Sequence, residues 1–170
     1  MRIELDKLEK SGEFAQTYRP GDLALEDAEL RIVGPAEIRG RYRKNGEEVE
    51  LQGHLSATVE ATCARCLKPV LLPLAAELSE RFVGAVSWRD EEQHELREED
   101  LNLAVFNDDA IELDDVVREE ILLAMPAQVL CREDCQGLCP ICGIDRNVSQ
   151  CNCESQQTDA RWGALKDLQF

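Results

Sequence analysis

The chain has 170 residues, enough for one domain, or one domain with a small appendage, that buries its own core. Only 5% of the residues are aromatic, so aliphatic side chains must carry that core. The net charge of -16 favours basic partners and argues against unaided binding to a polyphosphate.

The N-terminal stretch MRIELDKLEK alternates charged with isolated apolar residues and has no apolar core of signal-peptide length. No apolar run approaches the roughly 18 residues of a membrane span. We therefore expect a cytoplasmic protein without a membrane partner. Disulfides are disfavoured in the cytoplasm, so clustered cysteines point to metal or redox roles.

Strand patterning runs from about residue 27 to residue 84. Asn45-Gly46 is the dipeptide that best fits a two-residue type I′ hairpin turn. Apolar residues of a single parity follow it and predict a long half-buried strand: Val49, Leu51, Gly53, Leu55, Ala57, Val59, Ala61 and Cys63. The pattern resumes after CARCLKP, which predicts a second hairpin with Cys63 and Cys66 at its tip and Pro73 on an edge or at a bulge. We predict an antiparallel meander with one face on a core.

The region from 89 to the C-terminus is predicted in three parts. RDEEQHELREED (89–100) lacks apolar periodicity and reads as an acidic loop. LDDVVREEILLAMP (113–126) predicts an amphipathic helix that Asp114 or Asp115 caps and Pro126 ends. Its apolar face holds Leu113, Val116, Val117, Ile121 and Ala124. TDARWGALKDLQF (158–170) predicts a short final helix, capped by Thr158 or Asp159, whose apolar stripe is Trp162, Leu165 and Leu168.

Six of the eight cysteines lie in CREDCQGLCPICGIDRNVSQCNC, from Cys131 to Cys153. Tetrahedral zinc takes four ligands at about 2.0–2.3 Å, and thiolates supply them well. In CPICG, a Cys-x2-Cys turn brings two sulfurs to one ion, and Gly143 allows the tight turn that follows. We therefore group Cys139, Cys142, Cys151 and Cys153 as one zinc site.

The remaining four cysteines are Cys63, Cys66, Cys131 and Cys135. They either form a second zinc site that clamps the hairpin tip to the segment leaving the helix, or they are ordinary buried or free thiols. Disulfides would need export. A thioredoxin-like role for Cys63 and Cys66 would need a strand-to-helix context, whereas strand patterning continues on both sides. An iron–sulfur cluster is compatible with thiolate ligation but has no other support.

Arg39, Arg41 and Arg43 alternate on one strand and could form a nucleic-acid patch. If Asn45-Gly46 is the loop, however, Arg43 faces Glu48 and Arg41 faces Glu50, and such pairs simply stabilise a hairpin. We favour the hairpin interpretation. The two histidines, His54 and His94, lie near no nucleophile or metal spacing, and the chain has no nucleophile elbow, phosphate loop or dinucleotide fingerprint.

In motif order, CARCLKPV, LDDVVREEILLAMPAQVLC, CQGLCPICGIDRN with CNC, and DARWGALKDL resemble the YceD family over about residues 27–170. One departure is Ala160, where the family often has Pro; either residue suits the first turn of a helix. Members of the family are associated with accumulation of large-subunit ribosomal RNA in bacteria and plastids. The resemblance implies a role in ribosomal RNA processing or large-subunit assembly and brings no defined active site.

Together these features predict an α+β protein: an antiparallel β meander or partial barrel with a packing helix and a C-terminal Cys-rich zinc module. Residues 1–126 form the β-rich part and 127–170 the zinc-binding module, as one cooperative unit. We expect a non-enzymatic factor in large-subunit ribosomal RNA accumulation, with one structural zinc or two and no small-molecule substrate. Its partner is the large-subunit precursor, reached through a basic ribosomal protein or through RNA. The alternative is a thiol-based redox or metal-responsive protein that uses Cys63 and Cys66.

Overall fold

The computed structural model describes residues 2–25, 30–85, 103–106, 110–153 and 161. In this part of the chain the protein is mostly sheet with one helix, in keeping with the α+β prediction. The elements are β1 (Arg2–Glu4), a 3-10 turn (Leu5–Lys7), β2 (Ser11–Tyr18), β3 (Arg31–Ile32), β4 (Ala36–Asn45), β5 (Glu48–Thr62), β6 (Pro69–Gly84), β7 (Leu103–Phe106), β8 (Ala110–Glu112) and α1 (Leu113–Leu123). Three predictions fall outside the described residues: the acidic loop at 89–100, His94 and, apart from Arg161, the final helix at 158–170.

The main sheet has the strand order β2-β4-β5-β6-β7, and the short β3 pairs with the far end of β5. The pairs β2–β4, β4–β5 and β5–β6 are antiparallel, which confirms the predicted meander for β4 to β6. Strand β7, which lies beyond the predicted meander and was not predicted as a strand, is parallel to β6, so the sheet is mixed. The described strands do not close into a barrel, and β1 and β8 form a separate two-stranded sheet.

The long hairpin β5–β6 carries the core on one face. The predicted parity is confirmed in β5, where the apolar residues are buried and alternate with exposed or half-buried polar ones. Helix α1 packs over this side of the sheet and buries the predicted residues Leu113, Val116, Val117 and Ile121. One face of the sheet is therefore covered, while the opposite face of β2, β4, β5 and β6 holds mostly polar, exposed side chains.

The turn between β4 and β5 differs from the prediction by two positions in register. Asn45 pairs with Glu48, so the two loop residues are Gly46 and Glu47. Gly46 has a φ of 64°, which suits the first central position of a type II′ turn, where glycine is favoured. The Asn-Gly signal thus located the hairpin correctly, but glycine takes the first loop position and not the second.

Two further details depart from the sequence prediction. Strand β2 lies in the stretch before residue 25, for which the sequence predicted no strand. Only Phe14 and Tyr18 are buried along it, and two apolar residues four positions apart show no alternation. Helix α1 begins at Leu113 after Glu112, without a side-chain cap, so Asp114 lies in the first turn and accepts a hydrogen bond from the Tyr18 hydroxyl at 2.7 Å.

Pro73 lies opposite Thr58 in β6, in a stretch that pairs only with β5. Strand β7 joins β6 only at Arg81–Gly84, so Pro73 occupies an edge of the described sheet, as expected of a residue without a backbone donor. Among the described helices, none is both long and apolar enough to cross a membrane.

Candidate metal centres

The tip of the β5–β6 hairpin is a tight turn that brings Cys63 and Cys66 together. The amide of Cys63 donates to the carbonyl of Lys68 at 2.8 Å, and the amide of Leu67 donates to the carbonyl of Cys63 at 3.0 Å. Leu67 has a φ of 60°, a left-handed conformation that non-glycine residues adopt uncommonly. Strand pairing on both sides of the turn fits the predicted hairpin tip and not a strand-to-helix redox motif.

The segment after α1 runs back along this tip. The amide of Ala64 donates to the carbonyl of Val129 at 2.8 Å, and the amide of Leu138 donates to the carbonyl of Arg65 at 3.0 Å. Gly137 has a φ of 69°, and a Cβ at this position would lie 2.8 Å from the Arg65 carbonyl oxygen. Only glycine therefore permits this close approach, which carries the neighbouring Cys135 to the hairpin tip.

The first group of sulfurs, here called the hairpin site, consists of Cys63, Cys66, Cys131 and Cys135, and their Sγ atoms all lie within 4.8 Å of one another. The Sγ of Cys63 lies 3.9 Å from that of Cys135, and the Sγ of Cys66 lies 3.6 Å from that of Cys131. Disulfides need about 2.05 Å, so these distances exclude them. Four thiolates at about 2.3 Å from a tetrahedral zinc ion are about 3.8 Å apart, so the group fits such an ion.

The second group, here called the knuckle site, consists of Cys139, Cys142, Cys151 and Cys153, again with all sulfurs within 4.8 Å of one another. The Cys139 amide donates to the carbonyl of Ile144 at 2.8 Å, and the Gly143 amide donates to the carbonyl of Cys139 at 2.9 Å. Gly143 has a φ of 72°, which confirms the left-handed turn expected after CPIC. The structure thus assembles the group of four that the spacing predicted at the knuckle site. It also brings together the other four cysteines, whose grouping the sequence left open; ligation itself stays a prediction at both sites.

Solvent exposure differs within each group. Cys63, Cys66 and Cys135 are buried at the hairpin site and Cys131 is exposed, whereas at the knuckle site only Cys139 is buried. An ion at the hairpin site would therefore lie mostly inside the protein.

Backbone amides favour ionisation of one thiol in each group. The amide of Cys66, together with that of Arg65, lowers the pKa of Cys63 to about 6 despite its burial. The amides of Cys142 and Ile141 likewise lower the pKa of Cys139 to about 6. Amide donors aimed at a sulfur are the usual environment of metal-binding thiolates, because they spread the negative charge.

The partner thiols hold their protons more tightly. A hydrogen bond with the sulfur of Cys66 raises the pKa of Cys131 to about 12, and one with the sulfur of Cys142 raises that of Cys153 to about 12. Each group therefore combines a thiol that ionises easily with one that retains its proton beside it. A bound cation would remove this conflict by taking up the charge of all four sulfurs, with release of protons.

Both groups offer a closed set of four sulfur ligands. Structural zinc sites have this composition, while catalytic zinc sites keep one position for water or substrate. The arrangement can hold a metal ion and fix chain geometry, and it supplies no open coordination position for a reaction.

The predicted arginine stripe lies on the exposed face of β4. The opposite residues on β5 are Glu50 for Arg43, Gln52 for Arg41 and His54 for Arg39. The predicted pairs of Arg43 with Glu48 and Arg41 with Glu50 were therefore wrong, because the loop is Gly46-Glu47. Only Arg43 reaches a carboxylate, that of Glu50 at 4.0 Å; within the described ranges, Arg39 and Arg41 form no ion pair.

Sequence reasoning missed the polar residues around the sulfurs, notably Arg65, Lys68 and Asp145. Arg65 donates from Nη1 to the carbonyl of Cys135 at 2.9 Å, and Lys68 Nζ lies 2.6 Å from Asp145 Oδ2. Their position within or beside a Cys-x2-Cys turn was the only available signal, because their partners are distant in sequence.

Comparison with known proteins gives one family. The family model described as large ribosomal RNA subunit accumulation protein YceD matches residues 51–169, which include all eight cysteines. YlbN of Bacillus subtilis is 28% identical over 160 residues, which cover 94% of this chain and 88% of that protein. Rv2926c of Mycobacterium tuberculosis is 32% identical over 151 residues, which cover 89% of this chain and 70% of that protein. Both relatives are described as uncharacterized, and no solved structure matches the chain.

Proposed function

Because this chain belongs to the YceD family, we propose that it acts in the cytoplasm as a non-enzymatic factor in the accumulation, processing or assembly of large-subunit ribosomal RNA. The family match carries this proposal. The two closed groups of four cysteines support the non-enzymatic part, since they offer metal binding without an open catalytic position.

The cellular test is depletion of the protein, followed by measurement of mature large-subunit ribosomal RNA relative to small-subunit ribosomal RNA. We expect the large-subunit RNA to fall while the small-subunit RNA holds. Re-expression of the unchanged chain should restore the ratio. An unaltered ratio on depletion would overturn the ribosomal role.

We propose zinc as the ion at both sites, in a structural role. The all-thiolate ligand set and its fit to a tetrahedral ion support this choice. Elemental analysis of the purified protein should give two equivalents of zinc per chain and no iron. Cys142→Ser should lose one equivalent. One equivalent of zinc in the unaltered chain would refute zinc at both sites, and less than one would refute structural zinc altogether. Full retention in the variant would refute the grouping.

The direct partner is either a basic ribosomal protein or the RNA itself. The net charge of -16 supports the first. Arg39 and Arg41 support the second, because they lie exposed on an open sheet face and form no ion pair among the described residues, although Glu13 of β2 lies opposite Arg41.

Capture of the tagged protein from extract, with and without RNase, separates the two partners. Retention of a ribosomal protein after RNase treatment supports the protein partner. The purified chain can instead be tested for RNA binding at near-physiological salt, together with a variant that changes both Arg39 and Arg41 to Ser. Binding by the unaltered chain that this variant loses would refute the protein partner.

The alternative of thiol chemistry at Cys63 and Cys66 has the lowered pKa of Cys63 in its favour. Burial opposes it, since Cys63 is 0% exposed and Cys66 is 4% exposed, which hinders the approach of an external thiol or oxidant. Thiol alkylation of the zinc-loaded protein tests it. Modification of Cys63 faster than a model thiol would favour the redox function over the structural one.

A further inference from the structure

The two metal centres are connected through the loop that closes the knuckle site. Asn147 lies in that loop, between Cys142 and Cys151, yet its side chain turns towards the other site. Its Nδ2 donates to the Sγ of Cys135 at 3.5 Å. A residue positioned by the knuckle site thus contacts a ligand of the hairpin site.

Asn147 is held in this orientation by all of its polar atoms. Its Oδ1 accepts hydrogen bonds from the amide of Gln136 and from Nη2 of Arg132, both at 2.8 Å. Its own amide and its Nδ2 donate to Oδ1 of Asp145, at 2.9 Å and 2.7 Å. The side chain therefore cannot turn away from Cys135 without the loss of several bonds at once.

Asp145 ties the same loop to the hairpin tip. Its Oδ2 lies 2.6 Å from Nζ of Lys68, which follows Cys66 by two residues. The Lys68 ammonium, with donors from Asn147, lowers the pKa of Asp145 to about 2, so the carboxylate is charged at all physiological pH values. In addition, the amide of Arg146 donates to the carbonyl of Gly137 at 2.9 Å. These two contacts, together with those of Asn147, place this loop against the hairpin site.

We propose that Asn147 is a positioning residue that couples the two centres, so that metal binding at the knuckle site raises the metal affinity of the hairpin site. The ion at the knuckle site fixes both ends of the loop and presents the Asn147 amide to Cys135. The amide then stabilises the Cys135 thiolate as a ligand, since partners of ligating groups tune metal affinity. The effect is reciprocal by thermodynamic necessity. The inference rests on the metal binding within the proposed function.

The test is a double-mutant cycle on metal affinity, with Co²⁺ and Zn²⁺ titrated against a competing chelator. Cys142→Ser leaves only the hairpin site and Cys63→Ser leaves only the knuckle site, so each affinity can be assigned. Absorption from thiolate-to-cobalt charge transfer reports occupancy without any activity assay. Partners of ligands commonly change affinity 10- to 100-fold, which sets the expected scale.

We expect Asn147→Ala to weaken the hairpin site about 10- to 100-fold and to leave the Cys63→Ser form unchanged within about twofold. Gln136→Ala is the matched control, because among the described residues its exposed side-chain amide hydrogen-bonds only to the Asp134 carbonyl, at 3.0 Å. The Gln136 backbone amide that donates to Asn147 is kept in this variant. Asn147→Asp, which keeps the acceptor oxygen and removes the donor to Cys135, should lose affinity like Asn147→Ala. In the Asn147→Ala background, Cys142→Ser should cause little further loss at the hairpin site.

Independent sites would overturn the inference: Cys142→Ser would then leave hairpin-site affinity unchanged in the otherwise unaltered chain, or Asn147→Ala and Gln136→Ala would act alike. This result is distinct from a failure of the proposed function. If neither site takes up Zn²⁺ or Co²⁺, the metal part of that function fails; if both bind independently, only the coupling fails. The ribosomal role is tested separately by depletion.

Discussion

Replacement of Cys131 by Ser decides between the two readings of the hairpin site. Cys131 is the exposed member of the group, whereas Cys63 is fully buried. If the four sulfurs are ordinary thiols, a change at an exposed position should alter the free energy of unfolding by no more than about 0.5 kcal/mol. If they hold a metal ion, loss of any one ligand opens the site, and exposure makes little difference.

The size of the metal effect follows from the loops that the ion closes. Cys66 and Cys131 are 65 residues apart, and Cys63 and Cys135 are 72 apart. A cross-link that closes a loop of this length restricts the unfolded chain by about 4 kcal/mol. For a chain of this size, about 1 kcal/mol corresponds to a shift of about 2–4 °C in Tm. We therefore expect Cys131→Ser to lower the Tm of the zinc-loaded protein by about 8–16 °C.

Calorimetry of the zinc-loaded and chelator-treated proteins measures this effect. Cys63→Ser should lower the Tm by a comparable amount or somewhat more, since it also leaves a hydroxyl in a buried position. After chelation, Cys131→Ser and the unaltered chain should unfold together. A zinc-loaded Cys131→Ser protein that unfolds within about 2 °C of the unaltered chain would refute the metal clamp at the hairpin tip.

Two further predictions concern the scaffold. Burial, with the charge of Glu120, raises the pKa of Glu80 to about 7. Because the unfolded chain ionises this carboxyl near pH 4, the contribution of the protonated form to the free energy of unfolding is fully present below about pH 4 and is lost as the pH rises through 7. Glu80→Gln should therefore stabilise the protein by about 1–2 kcal/mol at pH 8, after allowance for solvent screening, and by less at pH 5. Urea denaturation at the two pH values measures this difference. An equal gain from Glu77→Gln, at an exposed position, would contradict the prediction. Gly40→Ala should lower the free energy of unfolding by more than about 3 kcal/mol, because its Cβ would collide with the backbone of β5. Gly84→Ala is the control, since a Cβ there would meet only ordinary contacts at 3.7 Å. Equal losses at the two positions would show that the strands separate freely and would contradict the prediction.

The sequence signal was strongest where one physical pattern ran uninterrupted. Strand β5 spans 15 residues with alternation throughout, and α1 shows its apolar face at helical spacing, so both were predictable. Strand β2 was not, because its inward-facing positions alternate Gly12 and Gln16 with Phe14 and Tyr18, so only every second one of them is apolar. The parallel pairing of β7 was also hidden, since its four residues carry no mark of strand direction and follow an acidic run.

The cysteine groups were predictable for a different reason. Cys-x2-Cys spacing is local chemistry, and the eight residues between Cys142 and Cys151 leave room for one closed loop. The union of Cys63 and Cys66 with Cys131 and Cys135 was open from the sequence, because it depends on where the segment after α1 runs. The polar links from Lys68 and Asn147 depend on that same placement, and no local spacing encodes them.

The described residues after 126 contribute little apolar burial of their own, although hydrogen bonds and the Lys68–Asp145 ion pair connect them to the hairpin tip. Within the described residues after 126, the only buried ones are Cys135, Gly137 and Cys139. Among these described residues no aliphatic side chain is fully buried, and only Leu130 and Leu138 pack, partly buried, against the hairpin-site cysteines. The sheet and α1, in contrast, share a continuous apolar core. Ions at the two sites would therefore supply most of the free energy that orders the described residues after 126, as in small zinc-binding domains whose folding depends on metal. Under this reasoning, and against the expectation of one cooperative unit, chelation should release residues 127–153 while the β5–β6 sheet and α1 stay folded. Hydrogen exchange would then show rapid exchange in 127–153 and persistent protection in β5.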